Sequence, residues 1–554
     1  MIAEGPPPLA DPAGEHLPRR GRQDFSRRPP AMVMVPAVLV GLAMLLPIAY
    51  LAIRGAGATT EAWELLFRVR TLQIIGRTTL LVVVVTGFSI LLAVPLAWLT
   101  SRTDLPFRRV WSVLTAMPLV VPTFVGAFLF ISVLGPRGVL QQALEPLGVD
   151  RLPAIYGLPG AALVLILLSY PYILLTVKGA FQGLDPALEE SARTLGHGRM
   201  STAFRVTLPQ LRPAIISGSL LVALYTLSDF GAVSLMRFPT FTWVIYQQYQ
   251  TAFDRSIAGV LSLALVGMAL AIVLIDSYTR GRIRYHRTGS GASRKAEVVR
   301  LGRWRWPALA FAGFVVVMAL GIPAGVLLHW LVRGLLVGEP LLLLWSATVN
   351  SLVVSGAAAF VAAVCSIPVA VMVVRHPGRL SNVIERMSFT GFALPGIVVA
   401  LALVFFAVNY ARPVYQTAWL LVFAYVVLFL PAAMGATRAA LLKVSPSLED
   451  AARGLGRGPL QTMRTVTAPL IVPGILMGAA LVFLIAMKEL PATLILGPLG
   501  FKTLATAVWS ASTEAFFAQA AAPALLLIVI SSLPMAFLVT RDFGESTSSG
   551  SDYS

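Results

Sequence analysis

The most constraining feature of this chain is a succession of apolar runs, each close to the ~20 residues that a helix needs to cross a hydrocarbon core. They fall at roughly 31–53, 74–100, 110–134, 159–178, 213–235 and 257–277. A second set falls at roughly 307–332, 348–374, 387–408, 416–437, 470–487 and 519–540. Only 12% of the 554 residues are charged and 57% are hydrophobic, against about a quarter charged in soluble domains. The expected fold is all-α, a polytopic membrane protein with about 12 transmembrane helices.

The net charge of +18 does not mark a nucleic-acid partner, because its placement follows the membrane. Arg19, Arg20, Arg22, Arg27 and Arg28 precede the first run, and Arg102, Arg108 and Arg109 follow the second. Arg193, Arg199, Arg205 and Arg212 follow the fourth, and a basic stretch from Arg280 to Arg305 separates the two sets. All lie on one side if the N-terminus is cytoplasmic, the distribution expected for a bacterial plasma (inner) membrane protein with both termini inside. Residues 1–30 and 542–554 are polar and read as disordered cytoplasmic tails. The segment 279–306 is a basic linker, a tether that can also reach anionic membrane lipid. The single cysteine, Cys365, sits in an apolar run. No Cys/His cluster offers a metal site, so none is assigned.

The remaining residues, 31–278 and 307–541, are two copies of one plan. Glu190-Ser-Ala-Arg-Thr-Leu-Gly196 aligns with Asp450-Ala-Ala-Arg-Gly-Leu-Gly456, 260 residues later. At the same offset Pro171 meets Pro431, Asp229 meets Glu489 and Phe241 meets Phe501. Earlier in each half the offset is 273, pairing Arg102 with Arg375 and Pro122 with Pro395. Six spans per copy give both halves one orientation, as two parallel repeats about an axis normal to the membrane, with a pathway between them.

The loop after the fourth span carries the clearest motif. Asp185 suits an N-cap, Pro186 the first helical position, Glu189 and Glu190 the positive helix end, and Gly196 a left-handed stop. Ser445, Pro446, Glu449, Asp450 and Gly456 repeat that plan. A short helix results in each half, with apolar stripes Leu188, Ala192, Leu195 and Leu448, Ala452, Leu455. Such a helix fits a groove in a partner, or packs under its own bundle.

Glu190, Ala192 and Gly196, followed after nine residues by Val206-x-Leu208-Pro209, resemble the E-A-A-x3-G-x9-I-x-L-P loop of binding-protein-dependent ABC importer permeases. Asp450, Ala452, Gly456, Val466 and Pro469 form the second copy, departing by Asp for Glu and Ala468 for Leu. The resemblance implies the type I importer permease fold, with these loops as coupling helices on two copies of an ABC ATPase subunit. It also implies an extracytoplasmic substrate-binding protein as partner. No lysine follows a glycine here, so the phosphate loop G-x4-G-K-[ST] is absent. The chain is expected to be no enzyme and to hold no cofactor, ATP being bound by the partner subunit.

Ionisable residues within spans are functional candidates. Asp229 and the pair Lys488–Glu489 occupy equivalent places near the non-cytoplasmic end of the fifth span of each half. They are candidates for a translocation gate, or for helix caps and a local ion pair. Met487-Lys-Glu-Leu-Pro-Ala-Thr-Leu and Ser228-Asp-Phe-Gly-Ala-Val233 resemble the ferric-iron branch of fused permeases, whose related branches import thiamine, phosphonate, sulfate or polyamine. No set of carboxylates and tyrosines is recognisable as a tight iron site. An ion-coupled secondary transporter is the rival of another class, but it would have no use for two matched cytoplasmic helices.

Overall fold

The computed structural model describes residues 29–136, 138–149, 151–184, 186–251, 256–280, 298–338 and 343–548. The expected tail 1–28, the linker stretch 281–297, Asp185 and the last residues 549–554 lie outside them. Among the described residues the regular structure is helical, apart from an isolated bridge between Thr103 and Val299. Eleven helices are long and apolar enough to cross a membrane, or up to twelve if one bent pair is a single span.

The first half contains α1 (Ala31–Ala56), α2 (Val69–Arg102), α3 (Arg108–Leu114), α4 (Thr123–Leu134) and α5 (Leu158–Gly183). It continues with α6 (Pro186–Thr194), α7 (Leu208–Ser228), α8 (Gly231–Leu235), α9 (Phe241–Thr251) and α10 (Ser256–Arg280). The second half opens with α11 (Arg305–Val316) and α12 (Ile322–Val337), joined through a π turn. Then come α13 (Leu343–Arg375), α14 (Arg379–Phe389), α15 (Gly396–Tyr410), α16 (Ala418–Lys443) and α17 (Pro446–Gly454). The chain ends with α18 (Ala468–Met487), α19 (Pro491–Leu496), α20 (Leu504–Thr513) and α21 (Phe517–Ser548). The duplicated plan is thus repeated element by element.

Three sequence expectations need correction. The third spans, expected at 110–134 and 387–408, are not single helices. Each breaks before Pro122 or Pro395, and α14 and α15 meet at 107°. Pro122 and Pro395 are extended residues directly before Thr123 and Gly396, and a proline disfavours helical conformation in the residue before it, so α4 and α15 start afresh there. The fifth span, expected at 213–235, ends at Ser228. There the Asp229 carboxylate captures the amides of Ala232 and Val233 at 3.0 and 3.2 Å and starts α8, a local bond that competes with helix continuation. Finally, α21 runs on through Ser548, so 542–548 of the expected tail is helical: extending an existing helix needs no new nucleus.

Burial sorts the helices. Every residue of α4 from Thr123 to Phe130 is buried, as is α15 from Gly396 to Phe405. By contrast, α1 and α2 leave Leu39, Leu42, Val83 and Leu91 on the outside, where lipid solvates them. Without a hydrophobic force between helices, close approach of backbones supplies the packing. A Cβ on Gly218 of α7 would stand 2.7 Å from the Ile173 Cα of α5, and one on Gly478 of α18 3.0 Å from the Ala433 Cα of α16. The same crossing recurs at an offset of 260 on both helices.

The halves also exchange their first spans. The N-terminal end of α1 packs Ala37 against Val369, Met372, Ile384 and Met434 of the other half. Farther along, the Tyr50 hydroxyl donates to the Phe405 carbonyl at 3.1 Å and accepts from Asn409 Nδ2 at 3.1 Å. In return, Trp330 Nε1 of α12 donates to Ser132 Oγ of α4 at 2.5 Å. The end of the linker is seated too. Val299 exchanges backbone hydrogen bonds with Arg102 and Asp104, and the Leu301 amide donates to Asp104 Oδ1 at 2.8 Å.

Candidate functional site

The two short helices after the fourth spans form as the motif requires. Gly196 and Gly456 adopt φ of +87° and +83°. Each permits the backbone bond that closes the helix, His197 N to Ala192 O and Arg457 N to Ala452 O, both 3.1 Å. Those left-handed residues are where a side chain would be strained. At the other end Ser445 accepts from the Ser447 amide at 3.4 Å.

What holds these helices was only half legible. Glu449 accepts from Arg375 at 2.9 Å and from Thr467 at 3.1 Å. Arg375 also donates to the Val444 carbonyl at 3.0 Å. In the first half Thr207 donates to Glu189 at 2.9 Å, Arg102 lies in the field of Glu189, and Arg102 donates to the Phe181 carbonyl at 3.4 Å. The anchoring carboxylates are therefore Glu189 and Glu449, one position before Glu190 and Asp450, which are exposed. Thr207 and Thr467 each close a π turn that leads into α7 or α18. These turns carry each anchor directly into the helix that bears Asp229 or Glu489.

The expected apolar stripes divide. Ala192 and Ala452 are buried, whereas Leu195 and Leu455 are 81% and 83% exposed. Two leucines in matched positions are thus held out on anchored helices. Pro209 and Pro469 stand near the starts of α7 and α18, directly after the π turns.

Asp229 and Glu489 occupy the far ends of those same helices. Both act as caps: Glu489 Oε1 accepts from the Ala492 amide at 3.3 Å as Asp229 does in α8. Asp229 Oδ2 accepts from Thr123 Oγ1 at 2.5 Å, at the inner start of α4. That twelve-residue helix places the pair about 18 Å along its axis from the following loop. The equivalent of Thr123 is Gly396, where a Cβ would stand 2.4 Å from Glu489 Oε1. The longer acid thus faces the smaller residue.

Lys488 reaches across the halves, its Nζ donating to the Leu119 carbonyl at 2.7 Å. The local ion pair with Glu489 is not formed among the described residues.

Around these groups the fold gathers side chains that are far apart in sequence. Tyr172 and Tyr225 pack with ring centroids 5.3 Å apart, and Tyr225 sits against Thr123 in the field of Asp229 and Glu489. Tyr425 pairs with Thr493 at 2.5 Å, within the field of Glu489. One residue beyond Asp229, Phe230 is 2% exposed. Its ring lies 4.8 Å from Tyr246 of its own half and 5.1 Å from Trp509 of the other.

Tyr246 and Trp509 are structural equivalents, which corrects one alignment. The amide of Phe241 donates to Thr78 Oγ1 and that of Leu504 to Ser351 Oγ. Phe241 therefore corresponds to Leu504, not to Phe501, a three-residue shift absorbed before α20. Phe230 is thus a wedge that touches equivalent rings of both halves.

The sequence matches the family described as binding-protein-dependent transport system inner membrane component twice, over residues 87–281 and 362–541. It is 35% identical to the Fe(3+)-transport system permease protein FbpB 2 of Haemophilus influenzae, over 92% of this chain and 98% of that protein. The putative ferric transport system permease protein FbpB 1 of the same organism is 25% identical over 72% of this chain and 66% of its own length. The molybdenum transport system permease protein ModB of Escherichia coli is 31% identical, with 90% of it matching 36% of this chain. That protein is similar to a single half.

Proposed function

Because the chain belongs to the family of binding-protein-dependent transport system inner membrane components, one copy per half, we propose that it is the permease of a ferric iron importer. A relative similar from end to end, named for Fe(3+) transport, is the observation that carries the choice of iron. A binding protein outside the membrane would deliver the ion, and two copies of an ATPase subunit would engage α6 and α17. Both termini would then lie in the cytoplasm, where the basic segments belong. The chain itself would contribute no nucleotide site and no resident cofactor.

The mechanism follows from the wiring of α7 and α18. One end of each is tied through Thr207 or Thr467 to an anchored short helix, and the other end carries Asp229 or Glu489 beside the Phe230 wedge. Approach of the two ATPase subunits would move the short helices together and rotate these rods as units. Phe230 would then leave one of its two ring partners, opening the interface above the carboxylates. Resetting would close it again after the ion has passed inward.

The test is uptake of radiolabelled ferric iron by a deletion strain carrying either the native gene or its Gly196→Asp, Gly456→Asp form. Rescue by the native gene alone is expected. Rescue by both, with equal protein in the membrane, would refute the coupling role, and iron uptake unchanged by the deletion in a strain lacking other iron importers would refute the cargo.

A further inference from the structure

Resting on the iron reading above, we propose that Asp229, Glu489 and the Tyr225 phenol form a transit site for the ferric ion, shared by the two halves. Three observations meet there. First, oxygen donors of the type a hard trivalent cation takes come together from both halves. Asp229 and Tyr225 stand on either side of Thr123, and Glu489 acts on Tyr225 from across the interface. Tyr172 packs at a tilt against Tyr225, and Tyr425 stands in the field of Glu489. Second, these carboxylates have no counter-cation among the described residues, since Lys488 is drawn away to the Leu119 carbonyl. Interior carboxylates without one are costly. Asp229 offsets this with three hydrogen bonds, but Glu489 receives one, on Oε1, and Oε2 receives none among the described residues. Third, Tyr172, Tyr225 and Glu489 are surrounded by protein yet retain surface accessible to solvent. They therefore line an internal space. Tyr225 precedes Asp229 by one turn of α7, which puts this space on the coupling-helix side of the Phe230 wedge.

No three His, Cys, Asp or Glu residues cluster among the described residues, so the acids alone do not make a metal site. The phenol completes the set. Few ligands suit a site the ion must leave: conduction needs binding strong enough to admit an ion and weak enough to release it. Binding is a ligand exchange with no change of oxidation state. The incoming chelator departs with the phenolic proton, and the phenolate oxygen takes its place on iron.

The test uses the permease with its ATPase subunit in lipid nanodiscs, titrated with ferric nitrilotriacetate, and read by absorption and by equilibrium dialysis of labelled iron. The native complex is expected to show the visible charge-transfer band of a ferric phenolate, and Tyr225→Phe to lose it. Asp229→Asn and Glu489→Gln should each weaken binding by at least the ~10-fold that losing even an outer-shell partner costs a metal site. No band in a native preparation that takes up iron when reconstituted would overturn the transit site and leave the iron reading standing. A band that survives in the Tyr225→Phe, Asp229→Asn, Glu489→Gln triple variant would place the iron elsewhere and overturn it equally. A preparation that transports a different ion and no iron would remove both. The native spectrum decides without depending on any variant's folding.

Discussion

Gly396 faces Glu489 as Thr123 faces Asp229, and this exchange of size can be tested by transplanting one half's pair into the other. Gly396→Thr alone brings a Cβ to 2.4 Å from Glu489 Oε1, well inside the ~3.4 Å at which such atoms rest. Glu489 must swing away, forfeiting its bond to the Ala492 amide. A hydrogen bond to a charged group contributes about 1.5–3 kcal/mol, and the swing of the flexible carboxylate relieves the overlap itself, so the variant should lose roughly 2–3 kcal/mol. Glu489→Asp alone withdraws the carboxylate and leaves Gly396 facing a gap, at about 1–2 kcal/mol for a deleted, partly enclosed methylene. Together the two substitutions rebuild the Thr–Asp pair that the first half holds at 2.5 Å. The double variant should fall within about 1 kcal/mol of the native chain, giving an interaction energy of at least ~2 kcal/mol. Reversible denaturant unfolding in bicelles measures all four proteins. Simple addition of the two single effects would refute the reasoning, as would a Gly396→Thr variant of native stability.

Three further outcomes are expected. Replacing Glu449 leaves the Arg375 charge half-buried beside a carbonyl, at about 2–3 kcal/mol, and replacing Arg375 leaves Glu449 with Thr467 and, at 4.0 Å, Arg453. Arg375→Met and Glu449→Gln should each cut iron transported per ATP hydrolysed more than Arg375→Met with Glu449→Gln does, as measured in proteoliposomes. Leu195→Asp with Leu455→Asp should abolish co-purification of the ATPase subunit at unchanged permease yield, because covering a leucine contributes about 1.5–3 kcal/mol. Cutting the chain within 281–297 should leave two fragments that co-purify, and Tyr50→Phe with Trp330→Phe should weaken that association by about 1 kcal/mol per hydrogen bond lost.

Apolar length and charge placement made the spans legible, and matched spacing exposed the duplication. The stop at Gly196 and Gly456 was legible because only the left-handed conformation asks so plainly for glycine. Other features depended on signals the linear chain does not carry. Glu189 and Glu190 look alike as helix-starting acids, and only the fold sets Arg102 and Thr207 beside the first of them. Asp229 stood out as an ionisable residue in an apolar span, but its neighbour Tyr172 comes from α5 and shares no motif with it. Pro122 and Pro395 were aligned as equivalents without revealing that each ends one helix and begins another. Exchange of the first spans left no trace at all, since an apolar helix face does not name its partner.

That exchange sets a schedule on assembly. Tyr50 and its acceptor at Phe405 are separated by 355 residues, which a ribosome working at about 5–20 residues per second needs roughly 20–70 s to bridge. Through that interval α1 is already inserted but has no native neighbour on one face, while the return contact, Trp330 on Ser132, can form earlier. The first helix made is therefore among the last to be seated. Its vacant face must be occupied meanwhile by lipid or by the insertion machinery, so truncated nascent chains ending before α13 should expose residues 31–56 to crosslinking that the finished protein conceals.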